Sequence, residues 1–422
     1  MKISTLKYDL PAWIAVFLVA VPLCLGIAVA SGADPMAGII AGMIWWIIVW
    51  LLSKSPLSVS GPAAWLVAIV LAAIGKLGFD QFLVTLVIAG IFQIIFWLSK
   101  ISKYAHYVPH TVIKGMLAAI GLTLIIKQTP TLLGSLWFNL STIYLPIAII
   151  WFICLAVIII WEYTGGKKYK SIPWSLLAVL VGVLISYIYS AFSPERALTT
   201  KQLVNLPILE NLGKFSSLFH VPSLSISWTN MQLYITALTI ALVASIETIL
   251  SIQAIDKLDP IWRKTPLDRE LMAQWAGNAI SGLIWWLPIT SVIVRSSVNL
   301  NSNAQSKLSA IIHGILILVA LLFGAVIINM IPMASLAAVL LITWYKLITP
   351  QVIMHQWKQG WLEFIPFVLT IVVVIVEDLL IWVMAGIVVF YILEYFFNKN
   401  QTIAEVIAEE DKDIIFLTEE VD

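Results

Sequence analysis

Two short stretches, SPLSVSGPAAW at 55–65 and WWLPITS at 285–291, decide how this chain folds. Each one interrupts a strongly apolar sequence with proline and hydroxyl residues, and each leads into a short apolar run, at 62–75 or 291–300. At a rise of about 1.5 Å per residue, a helix over either run is only about 15–21 Å long, which is less than the roughly 30 Å of hydrocarbon in a bilayer. The two runs are therefore predicted to be half-helices that begin inside a membrane, where unwound backbone is tolerated if protein buries it.

The composition of the whole chain also indicates a membrane protein. Of the 422 residues, 61% are apolar and 11% are charged, and the mean hydropathy is +0.99. A soluble chain carries about 25% charged residues, so water-soluble enzymes, nucleic-acid binders and disulfide-stapled secreted modules are excluded. The 24 basic and 23 acidic residues nearly balance, which argues against a polyanionic partner such as nucleic acid. The two cysteines, Cys24 and Cys154, lie in apolar runs and are predicted to be core residues.

Apolar runs separated by proline, glycine and charge predict an all-α membrane protein with fourteen transmembrane segments. The third and the tenth segments are the half-helices, and short segments at corresponding places in two halves are typical of transporters built from inverted repeats. Each half has seven segments, an odd number, so the second half is expected to be inverted relative to the first. The predicted segments lie at about 10–30, 35–52, 62–75, 81–98, 108–127, 141–161, 172–191, 231–251, 268–286, 291–300, 308–330, 332–346, 363–377 and 379–396.

The segments divide the chain into two repeats. Residues 1–191 are predicted to form the first seven-segment repeat, 192–230 an extracytoplasmic linker, 231–396 the second repeat, and 397–422 a short cytoplasmic tail. Lysine and arginine concentrate in the loops that this count assigns to one side, which the positive-inside rule identifies as the cytoplasm. The prediction is a multi-pass protein of the cell (inner) membrane with both termini in the cytoplasm.

The starts of the two half-helices are the first candidate site. A helix start carries four unpaired N–H groups and about half a positive charge, so two starts that face each other near the midplane can bind an anion. The alternative interpretation is a pair of ordinary loop breaks in a helical bundle. The candidate substrate-binding residues are Gly61, Pro62, Ala63, Ala64, Thr290, Ser291, Val292 and Arg295.

Three charged residues lie inside apolar segments. A carboxylate at Glu247, in ALVASIETILSI, costs several kcal/mol inside a membrane unless it is protonated or paired. We therefore predict that Glu247, together with Thr290, holds a coupling Na⁺ or proton. The alternative is a structural carboxylic acid. Arg295 either raises the electrostatic potential of the anion site or pairs with Glu247. Lys114 lies near the start of its segment and is expected to extend its ammonium group to the membrane surface.

Longer motifs resemble one family over nearly the whole chain. The chain resembles the SulP family of inorganic anion transporters, the sulfate and bicarbonate permeases, through six matches in the same order, which together are far more specific than any one motif. The matching stretches are YDLPAW at 8–13, VPLCLGIAVASGADPMAGIIAG at 21–42, SPLSVSGPAA at 55–64, VIKGMLAAIG at 112–121, ASIETILSIQAIDKLDP at 244–260 and LPITSVIVRSSVNLNSNAQSKLSAIIHG at 287–314.

The resemblance implies a 7+7 inverted-repeat fold in which a core domain, segments 1–4 and 8–11, moves against a gate domain, segments 5–7 and 12–14. It implies that substrate sits between the half-helices, that Glu247 is the acid associated with cation coupling, that Thr290 lies beside both ligands, and that Arg295 is the basic residue near the anion. A homodimer is also implied. Two features depart from the family: DIIFLTEEVD at 413–422 resembles only the opening strand of its cytoplasmic STAS domain, and Leu23 stands where some relatives have Glu or Gln.

The sequence thus predicts secondary active transport of a small inorganic oxyanion, sulfate or bicarbonate, by alternating access coupled to Na⁺ or H⁺. The chain has no phosphate-cradling glycine loop, His/Cys metal cluster or nucleophile elbow, so neither an enzyme nor an ATP-driven pump is expected, and the coupling ion is the one cofactor predicted. Three alternatives stay open: a nucleobase or other anion permease of the same fold, an uncoupled anion channel, and a membrane scaffold that transports nothing.

Tryptophan is unusually frequent in this chain. There are 19 Trp and only 21 Gly, although membrane bundles use glycine where helices approach closely, and the resemblance predicts glycine at several tryptophan positions. One hypothesis is that the source reads the codon UGA as glycine, so that these positions are glycine in the protein; aromatic belts at the membrane interfaces are the alternative. The eight positions are Trp45, Trp46, Trp65, Trp97, Trp275, Trp285, Trp286 and Trp382.

Overall fold

The computed structural model of the chain describes residues 6–100, 109–133, 144–163, 173–208, 228–284, 286–376 and 388–392. These ranges are mostly helical, as predicted, and they include five helical stretches long and apolar enough to cross a membrane. A two-stranded sheet and three short 3₁₀ turns, Ala64–Leu66, Pro194–Arg196 and Thr200–Gln202, complete the described structure. The elements are α1 (Leu6–Ala30), α2 (Pro35–Leu52), β1 (Ser60–Pro62), α3 (Val67–Leu77), α4 (Phe79–Leu98), α5 (His110–Leu133), α6 (Leu145–Tyr163), α7 (Trp174–Phe192), α8 (Met231–Leu258), α9 (Leu267–Leu283), β2 (Ile289–Ser291), α10 (Ile293–Asn301), α11 (Leu308–Phe323), α12 (Ala325–Ile328), α13 (Met333–Tyr345), α14 (Pro350–Lys358) and α15 (Trp361–Val376).

The helices follow the predicted segments closely. Each of the first thirteen predicted segments overlaps a helix, and both half-helices are short: α3 has 11 residues and α10 has 9. The fourteenth segment, 379–396, lies largely outside the described residues, as do the tail at 397–422, Trp285 and Trp382. The count of fourteen segments and the inverted 7+7 arrangement therefore remain predictions. The sequence does not predict α14, which starts where Thr349 Oγ1 accepts a hydrogen bond from Val352 N at 3.3 Å.

The helices pack in two groups. In the first group, α1, α2 and α11 contact one another, and α4 packs against α8 and α9. The second group consists of α5, α6, α7, α13 and α15, with α14 packed on α15. Because α1 also packs against α13 and α7, it forms a large part of the boundary between the two groups.

Close helix contacts in the first group depend on small residues. Gly90 on α4 faces Ala279 on α9, and a methyl group at Gly282 would lie 2.6 Å from the carbonyl oxygen of Leu83. Such approach of two backbones needs residues without bulky side chains, as is common in membrane bundles. The contact between α4 and α9 therefore fixes the position of α9, which supports the functional site described below.

A buried aspartate holds the loops at one end of the bundle, where α1 begins and α8 and α10 end. We call these loops the rim (residues 53–58, 259–266 and 302–307). Asp9 on α1 accepts hydrogen bonds from Gln305 N at 2.8 Å, Ser306 N at 3.0 Å and Ser306 Oγ at 2.6 Å. The carboxylate thus fixes the loop between α10 and α11, which gives Asp9 of the YDLPAW stretch a structural role.

A second buried carboxylate organises the rim on the side of α2. Glu270 on α9 accepts hydrogen bonds from Ser53 Oγ at 2.5 Å, Lys54 N at 2.8 Å and Ser55 N at 2.9 Å. The ammonium group of Lys307 donates to the carbonyl oxygen of Ser53. These contacts fix the direction in which the chain leaves α2 and approaches β1.

Arg263 forms a salt bridge within the loop after α8 and a hydrogen bond to the loop after α10. Arg263 Nε lies 2.6 Å from Asp259 Oδ2, and Arg263 Nη1 donates to Gln305 O at 2.7 Å. Burial alone would raise the pKa of Asp259, but hydrogen bonds from Arg263 and from the Ile261 amide, together with the positive charge of Arg263, outweigh burial and lower this pKa below its ordinary value. The carboxylate is therefore held in its charged form.

The described part of the linker, residues 192–208, ends against the loop before α13. Val204 N donates to Ile331 O at 2.9 Å, and Leu206 exchanges two hydrogen bonds with the Asn329 side chain, at 2.7 and 2.9 Å. The linker is thereby attached to the second helix group at the end of the bundle opposite the rim.

Candidate functional site

The two stretches that break the apolar pattern meet in the structure. β1 and β2 pair antiparallel, with Ser60 opposite Ser291, Gly61 opposite Thr290 and Pro62 opposite Ile289. The 3₁₀ turn that leads into α3 begins two residues after β1, and α10 begins two residues after β2. The starts of both half-helices are therefore side by side inside the bundle, as the sequence predicts.

Side chains of α10 fasten the two breaks to each other. Ser296 Oγ accepts from Val59 N at 2.9 Å, and Asn299 Nδ2 donates to Leu57 O at 2.8 Å. The Ser58 and Ser291 hydroxyls also form a hydrogen bond. Polar side chains of α10 thus form hydrogen bonds with the non-helical backbone that precedes β1. Non-helical backbone is tolerated at membrane depth when protein buries it and pairs its polar groups.

Amide side chains of α4 and α9 support the site from behind. Gln274 Nε2 donates to Ile289 O at 3.1 Å, and Asn278 Oδ1 accepts from Ile289 N at 2.7 Å. Asn278 Nδ2 in turn donates to Gln93 Oε1 at 2.9 Å, and Gln93 Nε2 reaches Ser245 Oγ at 3.3 Å. Sequence reasoning missed this network, although three amides inside otherwise apolar helices are a signal that could have found it.

Arg295 is fully buried beside the half-helix starts with most of its hydrogen-bonding capacity unused. Its exposed fraction is 0%, and Nη2 donates to Cys24 Sγ at 3.3 Å. Nε and Nη1 have no hydrogen-bond partner. A methyl group at Gly61 would collide with Nη1, so glycine is required for the guanidinium to lie against β1. Among the described residues no ion pair joins Arg295 to Glu247, and that alternative is not realised.

Glu247 lies on α8, which packs against β2. Its side chain is buried, and Oε2 has no hydrogen-bond partner. The hydroxyl of Thr290 faces this carboxylate, but Thr290 Oγ1 likewise completes no hydrogen bond. The neighbouring Thr248 Oγ1 accepts from Ser291 N at 3.2 Å, which holds α8 against β2. An acid and a hydroxyl are therefore adjacent, buried and unsatisfied, an arrangement that is costly without a ligand or a proton.

A cavity of about 180 Å³ separates the half-helix starts from the second helix group. One water needs only about 10–15 Å³ of such space, so a small ion with some of its water fits. Ala64, Val292 and Glu247 line it on one side, whereas Gly61, Thr290 and Arg295 do not. The remaining lining residues that matter for the argument are Trp65, Lys114, Trp174, Ser251, Ser297, Thr343 and Lys346.

Lys114 corrects one prediction. Its exposed fraction is 2%, and it lines the cavity instead of reaching the membrane surface. The prediction depends on the distance of six residues from the segment start, whereas α5 packs against α13 and α15 and Lys114 is buried inside the bundle. Lys346, which follows α13, lines the same cavity and lies 5.7 Å from the centre of the Trp174 ring. The second helix group therefore presents two basic residues to the half-helix starts.

A second cavity, of about 140 Å³, lies on the opposite side of α13. It is lined by Gly26, by Leu198 and Lys201 of the linker, and by Leu340 and Trp344 of α13. Leu340 packs directly on Gly26, and Trp344 is 1% exposed. Because Thr343 and Lys346 line the first cavity, α13 separates the two cavities.

Every predicted substrate or coupling residue lies in this region and is buried. Gly61, Pro62, Ala63 and Ala64 belong to the first break and its turn, Thr290, Ser291 and Val292 to the second, Arg295 to α10 and Glu247 to α8. Within the described residues no group of three His, Cys, Asp or Glu side chains could hold a metal ion. A Na⁺ site at Glu247 and Thr290 thus remains a prediction.

Comparisons with known proteins identify the fold and the family. Residues 6–373 match the Sulfate permease family. YvdB of Bacillus subtilis, named as a candidate sulfate transporter, is 26% identical over 402 residues, which cover 93% of this chain and 74% of YvdB. The bicarbonate transporter BicA of Picosynechococcus is 26% identical over 368 residues, which cover 79% of this chain and 60% of BicA.

Solved structures share the architecture. The transmembrane domain of a cyanobacterial bicarbonate transporter BicA superimposes with a TM-score of 0.77 at 22% identity, covering 92% of this chain and 98% of that domain. The murine Solute Carrier 26 family member A9 anion transporter in the inward-facing state superimposes with a TM-score of 0.79 at 14% identity, covering 95% of this chain and 70% of that protein. The relatives are membrane transporters and not enzymes. With a match that spans nearly all of its helices, the chain belongs to the sulfate permease family.

Proposed function

We propose that this protein carries a small inorganic oxyanion, sulfate or bicarbonate, across a membrane by alternating access, coupled to Na⁺ or H⁺. One observation carries the proposal: two half-helix starts lie side by side next to a fully buried arginine whose Nε and Nη1 have no protein partner. The names of the relatives, which refer to sulfate and to bicarbonate transport, agree with this class of substrate.

The chemistry of the site favours an anion. Helix starts offer free N–H groups and a positive dipole end, and Arg295 adds a full positive charge behind them. The groups around the helix starts, at Gly61, Ala63 and Ala64, are small, so an oxyanion can approach the backbone closely. A buried cation without a counter-ion is expensive, and a bound anion would offset that cost.

Glu247 and Thr290 are the proposed coupling site. A carboxylate beside an anion site opposes anion binding unless a proton or Na⁺ neutralises it. Both groups are buried and unsatisfied, so either ion would find an oxygen ligand or a proton acceptor there. The binding of the coupling ion and the binding of the anion would then favour each other, which is the thermodynamic requirement for symport.

The cavities support an alternating-access cycle. The larger cavity reaches from the half-helix starts along Ser251 and Ser297, toward the rim that we assign to the cytoplasm. Between this cavity and the linker, Leu340 of α13 packs on Gly26 of α1, and we propose that this contact separates the site from the linker side. We propose that this conformation corresponds to the inward-facing state, and that a movement of the second helix group against the first would open the linker side. We place both termini in the cytoplasm of a cell with this protein in its inner membrane, as a homodimer.

Uptake into proteoliposomes tests the proposal. The purified protein is reconstituted, and uptake of labelled sulfate and of labelled bicarbonate is measured with and without an inward Na⁺ gradient or a pH gradient. We expect saturable uptake of at least one anion that a gradient of one coupling ion accelerates. Gradient-independent, voltage-following flux would indicate a channel instead.

The remaining alternatives give different results in the same vesicles. A nucleobase permease would take up labelled uracil, but the Gly61–Ala64 turn offers small apolar groups and backbone donors and no polar side chains that read base edges. A scaffold would take up no solute and would not be stabilised by sulfate or bicarbonate. Crosslinking in native membranes tests the homodimer.

A further inference from the structure

We propose that buried amide side chains on α4 and α9 set the distance between Glu247 and Thr290, and through that distance the affinity of the coupling site for its ion. The inference rests on the proposed function, because it concerns the site at which that function places the coupling ion. It assigns a positioning role to Gln93, Gln274 and Asn278, none of which lines the cavity beside the half-helix starts.

The two coupling groups do not hold each other in place. Thr290 Oγ1 and Glu247 Oε2 are buried and have no hydrogen-bond partner. Thr290 belongs to β2 and Glu247 to α8, so the distance between the two side chains depends on how this strand is fixed against this helix. Hydrogen bonds from other residues must therefore define the geometry that an ion would find.

Side chains of α9 bind both backbone polar groups of Ile289, the residue before Thr290. Ile289 N donates to Asn278 Oδ1 at 2.7 Å, and Ile289 O accepts from Gln274 Nε2 at 3.1 Å. Gln274 and Asn278 are four residues apart on α9 and therefore lie on the same face of the helix. Because the N–H and the C=O of Ile289 are both held, the backbone is fixed where it enters Thr290.

Gln274 also binds α8 directly. Its Nε2 donates to Ala244 O at 3.0 Å as well as to β2. Both partners of this nitrogen are carbonyl oxygens, so the amide cannot turn over without placing its own oxygen against them. Ala244 precedes Glu247 by less than one turn of helix. Gln274 therefore joins the strand of one coupling group to the helix of the other.

A longer chain of hydrogen bonds makes the same connection through α4. Asn278 Nδ2 donates to Gln93 Oε1 at 2.9 Å, and Gln93 Nε2 donates to Ser245 Oγ at 3.3 Å. The Ser245 hydroxyl in turn donates to Ala241 O at 2.7 Å. The side chains of Gln93, Asn278 and Ser245 are buried, so water does not compete for these hydrogen bonds. A buried polar network of this kind is rigid when its members are paired, and Ser245 is only two residues from Glu247.

The helices that carry the amides form a rigid support. Next to the network, a methyl group at Gly90 on α4 would lie 2.9 Å from the Cβ of Ala279 on α9, so the two backbones are in close contact. Loss of an amide contact should therefore shift β2 relative to α8 and leave α4 and α9 in place.

The consequence differs for the ion and for the anion. Hydrogen bonds that orient the groups around a bound ion contribute about 10–100-fold to affinity, so a small change in the distance between Glu247 and Thr290 should weaken ion binding. The anion site should change much less, because Ser296 and Asn299 join α10 to the backbone before β1 through separate hydrogen bonds.

The test compares Gln93→Met and Gln93→Glu in proteoliposomes, with Asn329→Leu as the control. Methionine keeps the length of the side chain and forms neither hydrogen bond. Glutamate keeps both, since one oxygen accepts from Asn278 Nδ2 and the other meets the hydroxyl of Ser245, which donates or accepts. Asn329 holds the backbone of Leu206 by two hydrogen bonds, at 2.7 and 2.9 Å, at the opposite end of the bundle. Its loss is a matched defect that lies away from the site.

The concentration of Na⁺ or of protons that gives half-maximal anion uptake is the measured quantity. We expect Gln93→Met to raise it by about tenfold or more, with the anion concentration at half-maximal uptake nearly unchanged. Gln93→Glu should stay near wild type in both quantities. Asn329→Leu should lower the melting temperature and leave both concentrations unchanged, and a merely structural role for Gln93 would make Gln93→Met behave in the same way.

The outcomes separate this inference from the proposed function. If wild-type protein takes up no anion, or if no ion gradient accelerates uptake, the proposed function or its coupling fails and the inference fails with it. If wild-type uptake is coupled and Gln93→Met keeps the wild-type ion dependence, only the inference is overturned. An equal rise in the ion and anion concentrations would overturn it as well.

A smaller change keeps the test decisive if Gln93→Met does not fold, which thermal unfolding in detergent shows. Ser245→Ala removes only the attachment of the chain to α8 and should raise the same ion concentration by a smaller factor. A folded Ser245→Ala protein with the ion dependence of wild type would then overturn the inference.

Discussion

The rim and the half-helix site both contain buried charged side chains, but these side chains are hydrogen-bonded at the rim and largely unpaired at the site. At the rim, Asp9 and Glu270 each accept three hydrogen bonds, and Arg263 is paired with Asp259. At the half-helix site, Glu247 Oε2 and two nitrogens of Arg295 have no partner. The rim residues hold loops in place, whereas the unpaired groups at the site have no such structural role, which supports the proposal that they bind ligands.

This difference can be used as a criterion for function in this fold. A buried charge that the protein satisfies completely stabilises the structure, and removing one partner leaves donors without acceptors. A buried charge that the protein leaves unsatisfied destabilises the free state, so its removal should cost little stability and much activity. Matched substitutions in the two regions test this criterion directly.

The largest expected effect is that of Arg295→Met. Removing the positive charge beside both helix starts should lower anion uptake by about a hundredfold or more, while the melting temperature stays equal or rises because an uncompensated charge is lost. Uptake assays and thermal unfolding in detergent measure the two quantities. Arg263→Met is the control at the rim and should show the reverse, a lower melting temperature with nearly normal uptake per folded molecule. An Arg295→Met protein that still transports at the wild-type rate would contradict the assignment.

Glu247→Gln should abolish gradient-driven uptake and leave folding intact, because the amide keeps the shape of the carboxyl group but neither binds Na⁺ by charge nor takes up a proton. Uptake with and without an ion gradient is the measurement. Glu270→Gln, the matched change at the rim, should instead lower the free energy of unfolding by about 1–3 kcal/mol and preserve coupling. Undiminished gradient-driven uptake by Glu247→Gln would count against its role in coupling.

Asp9→Asn is expected to reduce stability by about 1–3 kcal/mol, since an amide cannot accept all three hydrogen bonds from Gln305 and Ser306. Chemical denaturation monitored by tryptophan fluorescence measures the loss. The apparent affinity for the anion should remain within about twofold of wild type, because Asp9 touches only the rim. A change in affinity without a change in stability would mean that the rim controls the site.

The smallest effect concerns tryptophan. Trp275 Nε1 is buried without a hydrogen-bond partner, but so are the indole nitrogens of Trp13, Trp151 and Trp344, which are not among the eight positions, so substitution is the informative test. If the position is glycine in the source, Trp275→Gly should be no less stable than the original chain, despite the roughly 1 kcal/mol that glycine costs in a helix.

Trp357 provides the contrasting tryptophan, because it packs edge-on against Trp361 at 4.9 Å and Phe364 at 4.8 Å. Trp357→Gly should therefore lower the melting temperature clearly. UGG codons at the eight positions, or tryptophan in the mass spectrum of the protein from its source, would refute the codon hypothesis. For Trp45 and Trp46, whose side chains lie outside the described set, the codon is the deciding observation.

Sequence patterns predicted that the two half-helix starts form the candidate site, but not which basic residues line the cavity beside it. The breaks at Gly61 and Thr290 are visible because proline, glycine and hydroxyl residues stand out in an apolar sequence, and Glu247 and Arg295 stand out as charges. Lys114 stands out equally, yet its distance from a segment start gave the wrong environment, since a linear sequence does not specify which helices cover a side chain. The resemblance gives no physical role for the YDLPAW stretch. The hydrogen bond from Ser306 Oγ to Asp9 gives it a structural one.

Composition alone was sufficient to assign the chain to membranes, because burying so much hydrocarbon in water is not feasible, and helix length alone was sufficient to identify two segments that cannot span. Only the tertiary structure decided which buried charges are satisfied. Asn278 meets Gln93 across 185 residues, and Asn299 meets the Leu57 carbonyl across 242. Periodicity reports which face of one helix is apolar, whereas the partner of a polar atom depends on how distant helices pack against each other.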